Sequence, residues 1–193
     1  MKTEETILKT TAIYSDEGDK RYLLSKVWDE KKPKLAIIML VPSTAGVIEL
    51  DSTTQLVLNN ANRLGYGKVD ILNLFSTLND YELKLSDEED VENVKAIVES
   101  AKEADTVVYA AGVGKATNEL FLDRQAEVLD ALRPFEDKLY CIGNEDGTVI
   151  GRHPLSPAVR RWKLYKVKCG DKTETEKNSA AEAKTQQKKK KEQ

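Results

Sequence analysis

From Leu35 to Leu40 the chain is apolar without interruption, then breaks at Val41-Pro42-Ser43-Thr44. A short, wholly apolar run reads as a strand buried on both faces. Pro42 has no N–H to give a sheet ladder, so the strand ends there. Shorter apolar runs at Val69–Leu74, Thr106–Ala110 and Lys138–Ile142 predict three more strands. Between them the period changes to helical. Thr53–Leu64 and Thr117–Leu132 read as helices, and Val91, Val94, Ile97, Val98 and Ala101 share one helical face. Asp51 or Ser52 suits the N-cap of the first helix, and Gly65 its C-cap. Ser86-Asp87-Glu88-Glu89 has capping-box spacing for the helix that follows it. Upstream, Thr10–Tyr14 and the aromatic and aliphatic Arg21–Trp28 predict strands paired antiparallel at one side of the sheet. Arg160–Lys168 adds a last strand.

Strands alternating with helices predict an α/β fold: a three-layer sandwich with a mainly parallel central sheet and helices on both faces. Four loops then converge at the carboxyl ends of the strands: 41–46, 73–80, 111–115 and 143–157. That edge is where open α/β sheets bind ligands. It carries Pro42, Ser43 and Thr44 on the first loop, Asn73 and Phe75 on the second, Gly112 and Lys115 on the third, and Arg152 and His153 on the fourth. Asp51 stands at the helix start that follows the first.

Length and composition narrow the class. The 193 residues suffice for one domain, 1–169, followed by a basic tail, 170–193, made mostly of Lys, Glu, Thr, Gln and Ala. Such a tail cannot bury enough apolar surface to fold alone, so it is expected to be disordered. No apolar stretch approaches the roughly 20 residues that span a bilayer. The N-terminus lacks a signal-peptide core, and Cys141 and Cys169 suggest no disulfide framework, which predicts a cytoplasmic protein without membrane contact. Net charge is −3, but from Ala158 onward 12 Lys or Arg face 5 Asp or Glu. An acidic body with a basic tail makes the tail, through Lys188–Lys191, the plausible contact for nucleic acid.

The edge residues each allow a bland and a chemical reading. His153, the only histidine, is either an ordinary loop residue or a donor to a carbonyl or developing oxyanion. Asn73 either ties down backbone or reads a nucleobase edge, since its amide is donor and acceptor together. Asp51 is a helix cap, or a carboxylate that also orients water. Gly112-Val113-Gly114-Lys115 lacks phosphate-loop spacing and has Ala116 where Ser or Thr is needed, so it reads as a tight turn, with Lys115 able to meet an anion. One histidine and two separated cysteines predict no metal site, and no cofactor is implied.

MLVPSTA, the Asp51-Ser52-Thr53 helix start, RLGYGKVDILNLF, Ala110-Ala111-Gly112 and GRHPL together resemble the bacterial and phage family named domain of unknown function 1643, over about Arg21 to Leu155. That pattern in turn resembles the uracil-DNA glycosylase superfamily, which has Asp or Asn before a Pro at a strand end and a late His-Pro. The resemblance implies a uracil-DNA-glycosylase-like fold and a nucleobase, nucleotide or nucleic-acid ligand. It also implies N-glycosidic bond cleavage or DNA base modification, with His153 stabilising the leaving base. Pro42 and His153-Pro154 match. Val41 departs from it, because valine cannot polarise water; either Asp51 or Asp80 substitutes, or the protein is a binding module without turnover.

Overall fold

The computed structural model describes residues 1–84, 90–112 and 118–167. Its strands are β1 (Lys9–Tyr14), β2 (Arg21–Val27), β3 (Lys34–Met39), β4 (Lys68–Asn73), β5 (Thr106–Tyr109), β6 (Leu139–Gly143) and β7 (Lys163–Lys166). The helices α1 (Ser52–Arg63), α2 (Val91–Glu103) and α3 (Glu119–Ala131) follow β3, β4 and β5. Short 3-10 turns at Arg133–Lys138 and Pro157–Val159 flank β6. The capping-box segment 86–89, Lys115 and the tail lie outside the described residues. The described cap of α2 is Asp90, which accepts the Asn93 N–H at 3.3 Å.

Among the described residues the seven strands form one sheet, in the order β1-β2-β4-β3-β5-β6-β7. β3 pairs parallel with β4 and β5, and β5 with β6. β1–β2, β2–β4 and β6–β7 are antiparallel. The sheet is therefore mixed, which corrects the expectation of a mainly parallel one. The reason lies in the connections. Parallel neighbours need a crossover of about a dozen residues or more. The 28–33 turn between β2 and β3 is too short for one, so β2 runs against the parallel strands at one side. At the other side β7 runs back along β6.

Alternate residues of β3 divide between two apolar clusters. Leu35, Ile37 and Met39 join Val57 and Ala61 of α1. Ala36 and Ile38 join Ile97 and Ala101 of α2 and Phe121 and Val128 of α3. The strand period of two puts these sets on opposite faces. Leu35 through Ile38 are fully buried, which is why the run is apolar throughout. Each Leu or Ile so buried contributes ~1.5–3 kcal/mol relative to exposure.

Two local features set up the site. The chain leaves β3 for β4 on one side and, through α2, returns to β5 on the other, so the topology switches direction between β3 and β5. Second, β2 carries a bulge: Leu23 pairs with Ile13 and Arg21 with Tyr14, leaving Tyr22 as the extra residue. Leu24 packs in the α1-side cluster. The extra residue shifts the alternation and turns Arg21 to that same side, under the loop that follows β3. Among the described residues, no helix is long and apolar enough to cross a membrane.

Candidate functional site

The α1 N-terminus is built by Asp51. Its Oδ1 accepts the Thr54 N–H at 2.6 Å, satisfying one of the helix's orphan donors. Its Oδ2 accepts the Ser43 hydroxyl at 2.5 Å, which fastens the β3 loop to the helix start. Burial pushes the Asp51 carboxyl up, but the Ser43 hydroxyl, Thr54 and the Arg21 charge outweigh it and hold the group below its usual 3.8. Arg21 is 3% exposed. Its Nη1 donates to Ser43 O at 3.3 Å and to Ala45 O, while its Nε has no partner. Burial lowers the guanidinium's pKa, and the neighbouring Tyr14 and Asp51 work against that.

The 143–157 loop brings His153 to the same place. Gly112, at φ +82° just beyond β5, packs so closely that a Cβ there would lie 3.2 Å from His153 Cβ. A side chain at Gly112 would press on the Cβ of His153 and sit in a left-handed backbone conformation, so glycine is favoured on two counts. His153 Nδ1 accepts the Leu155 N–H at 3.2 Å. With Nδ1 occupied as an acceptor, the proton of the neutral ring sits on Nε2. Burial pushes the imidazole below its ordinary 6.5, with the Asp51 charge opposing. Downstream, Asn60 of α1 donates to Arg160 O and accepts the Trp162 N–H, both at 3.0 Å. The chain just after the His153 loop is thus pinned to the helix whose N-terminal turn lines the same cavity as His153.

These groups enclose a cavity of about 260 Å³ lined by Arg21, Met39, Val41, Ser43, Asp51, Ser52, Thr53, Thr54, Tyr81, His153 and Leu155. It sits at the switch point, where α/β sheets place ligands. A wider open groove runs along residues 4–7, Lys9, Val27, Trp28 and Glu30, at the opposite ends of the parallel strands and away from the converging loops.

Of the residues singled out from the sequence, Ser43, Asp51 and His153 line the cavity, and Gly112 backs His153. Asn73 is 1% exposed, and neither its amide N nor its amide O has a partner. In register it is the neighbour of Met39, which lines the cavity. Pro42 is buried, its carbonyl accepting the Asn79 N–H at 2.8 Å, and Thr44 is exposed; neither lines the cavity. Phe75 packs in the α2–α3 cluster on the other face, 5.8 Å from the Arg124 guanidinium carbon. Arg152 stands beside His153 but outside the lining. Lys115 lies outside the described residues. Sequence reasoning missed Arg21, Tyr81 and the Ser52–Thr54 wall. A bulge carries no periodic signature, so only the oddity of an Arg opening an apolar strand pointed to Arg21.

Among the described residues, fold and site define an α/β protein with a mixed seven-stranded sheet and, at the carboxyl edge of its parallel strands, a cavity lined by both polar and apolar side chains. The family described as "Protein of unknown function (DUF1643)" matches residues 21–155, more than half of the chain, and the protein belongs to that family. Every cavity-lining residue falls inside the matched range. No curated protein and no solved structure matches the chain.

Proposed function

We propose that the edge cavity binds a nucleobase or nucleotide and serves cleavage of an N-glycosidic bond or modification of a DNA base. One observation carries this reading: His153, its Nδ1 tied to the Leu155 N–H so that the neutral ring carries its proton on Nε2, lines a cavity walled by Ser43, Asp51 and the α1 N-terminus. The volume of about 260 Å³ falls just below the ~300–1,000 Å³ of pockets for drug-sized ligands, which suits a ligand between a nucleobase and a mononucleotide in size. The Asn73 amide, unpaired at the neighbouring strand end but outside the cavity lining, would be a donor and acceptor for the edge of a base that reached past Met39. In the cleavage step the C1′–N bond breaks and its electron pair leaves on the base. His153 hydrogen-bonds the oxygen where that charge gathers. Water adds to C1′, and its proton passes to the departing base. The wider reading is a three-layer, uracil-DNA-glycosylase-like protein of the cytoplasm, supported by Pro42 and His153-Pro154 at matching places.

Val41 favours a second reading, a binding module without turnover. It lines the cavity where a polar residue would hold water. Under either reading Lys188–Lys191 would draw nucleic acid to an acidic body, with affinity falling as salt rises.

A thermal-shift screen over nucleobases, nucleosides and nucleotides tests binding. A panel of modified DNA duplexes, run with the wild type, His153→Ala and Val41→Asn, tests turnover. Loss of one oxyanion donor typically costs ~100- to 1000-fold in rate. Equal base release by the wild type and His153→Ala would remove His153 from the mechanism. Release gained only in Val41→Asn would establish the binding module, and no shift with any ligand would end both readings.

A further inference from the structure

Arg21 in the cavity wall and Lys26 behind it bury more positive charge on the α1 side of the sheet than the cavity's one carboxylate balances. Arg21 is 3% exposed and Lys26 is fully buried, both on the α1 side of the sheet. Lys26 Nζ donates to Thr10 Oγ1 at 3.2 Å and to Val47 O at 3.3 Å, neither of them charged. Arg21 Nη1 holds two loop carbonyls, and Nε is left without a partner. A buried charge is costly unless paired, so two buried cations against one carboxylate is an arrangement that calls for an anion. Asp51 spends both oxygens on Thr54 and Ser43. The same cavity wall is the N-terminal turn of the 12-residue α1, with the hydroxyl residues Ser52, Thr53 and Thr54. A helix N-terminus favours negative charge.

We propose that the end of the cavity between Arg21 and the first turn of α1 is a phosphate subsite, so that the ligand is a phosphorylated nucleoside rather than a free base. This rests on the nucleobase reading given above and deepens it. Arg21 meets the phosphate with the charge of its guanidinium, and the Ser52–Thr54 turn supplies neutral donors. The base then lies toward His153. Tyr81 and Leu155, both about half exposed, border the cavity as apolar surface for the sugar and base. A free nucleotide and a strand of nucleic acid present the same group.

The test is calorimetric titration of the full chain with a nucleoside 5′-monophosphate, its nucleoside, inorganic phosphate and a short single-stranded oligonucleotide, at two salt concentrations. The monophosphate is expected to bind about 10- to 100-fold tighter than the nucleoside, as charge-assisted hydrogen bonds allow. Arg21→Gln keeps a donor for the loop carbonyls but removes the charge, and should bring the two within about threefold, whereas Arg21→Lys should retain most of the preference. Lys26→Met, outside the cavity lining, keeps the Arg21 contacts to Ser43 and Ala45 and gives up only the Lys26 bonds to Thr10 and Val47; it should reduce phosphate affinity by a few-fold. A nucleoside that binds the wild type as tightly as its monophosphate overturns the subsite and leaves the nucleobase reading standing. Inorganic phosphate bound in an Arg21-dependent way, with no nucleoside effect, supports the subsite and overturns the nucleobase reading. A wild type that binds none of the four overturns both. Tighter binding of the oligonucleotide than of the monophosphate assigns the phosphate to a strand.

Discussion

Replacing Asp51 by alanine should loosen the site and the fold together. Two contacts are lost outright. The helix cap on the Thr54 N–H is worth ~1 kcal/mol. The Ser43 hydrogen bond goes to a charged acceptor, and at a half-buried position the low end of the charged range, about 1.5 kcal/mol, applies. The sum is about 2.5 kcal/mol, with the lost countercharge for Arg21 adding to it. For a domain of this size that is a fall in Tm of roughly 5–10 °C. Asp51→Asn keeps the cap acceptor and exchanges a charged hydrogen bond for a neutral one, so it should cost only about 1 kcal/mol. Urea unfolding with an unchanged m-value reads both numbers. The pH dependence gives an independent check. The folded Asp51 carboxyl lies below its ordinary 3.8. Its contribution is therefore present above pH 3.8 and lost as pH falls through the lower folded value. Asn does not titrate, so the gap between wild type and Asp51→Asn should narrow below pH 3.8. An alanine variant that costs no more than a bare cap, or an asparagine variant that costs as much as alanine, would refute the account.

Three further outcomes follow from the same geometry. Gly112→Ala forces a side chain into φ +82° and onto His153, so it should cost about 1–2 kcal/mol in urea unfolding and weaken ligand binding; an unchanged ligand affinity would mean that His153 is not placed by Gly112. Lys34→Met leaves the 2%-exposed Asp70 with only the Ser100 hydroxyl, where a 2.7 Å ion pair stood, and should cost about 3 kcal/mol; Lys34→Met with Asp70→Val should recover most of it, and no recovery would refute the pairing. His153, being the only histidine, can be followed by NMR without ambiguity: it should titrate below 6.5 with its proton on Nε2, and a midpoint above 6.5 would refute the assigned environment.

The parallel strands and their helices were legible because burial on both faces and the helical period write themselves into apolar spacing. Leu35–Leu40 and the Val91–Ala101 face are of that kind. Asp51 was legible as a cap because capping is a local demand of the chain. The antiparallel β1–β2 pair at one side was legible too, but its neighbour was not, since β4 enters between β2 and β3 only through the α1 crossover. Ser43, Asp51 and His153 were reachable from the rule that loops meet at the carboxyl edge. The rule does not say which face of a strand end the cavity takes. Asn73 and Phe75 stand two residues apart, yet Asn73 neighbours Met39 in register and Phe75 packs in the α2–α3 cluster, because the strand ends between them. Arg21 depends on one extra residue in β2, and its partners lie more than 20 positions away.

The charges of the site argue for holding a ligand in place more than for moving protons. A general base works best with a pKa near the working pH. Asp51 is held below its ordinary value and has both oxygens engaged, and Val41 supplies no polar atom. Arg21 remains charged throughout the physiological range. His153 is the one cavity group that titrates near neutrality, and burial keeps it neutral there. Protonating it would put a second N–H against the Leu155 N–H that Nδ1 now accepts. The fold should therefore lose stability as pH falls from 6.5 toward the imidazole's lowered value, because the unfolded histidine takes up its proton first, and the His153 turn should open once pH passes that lowered value. Under the proposed function, binding and stability should share one acid limb for a single physical reason: the ring that would donate to the ligand is the same ring whose other nitrogen closes the turn.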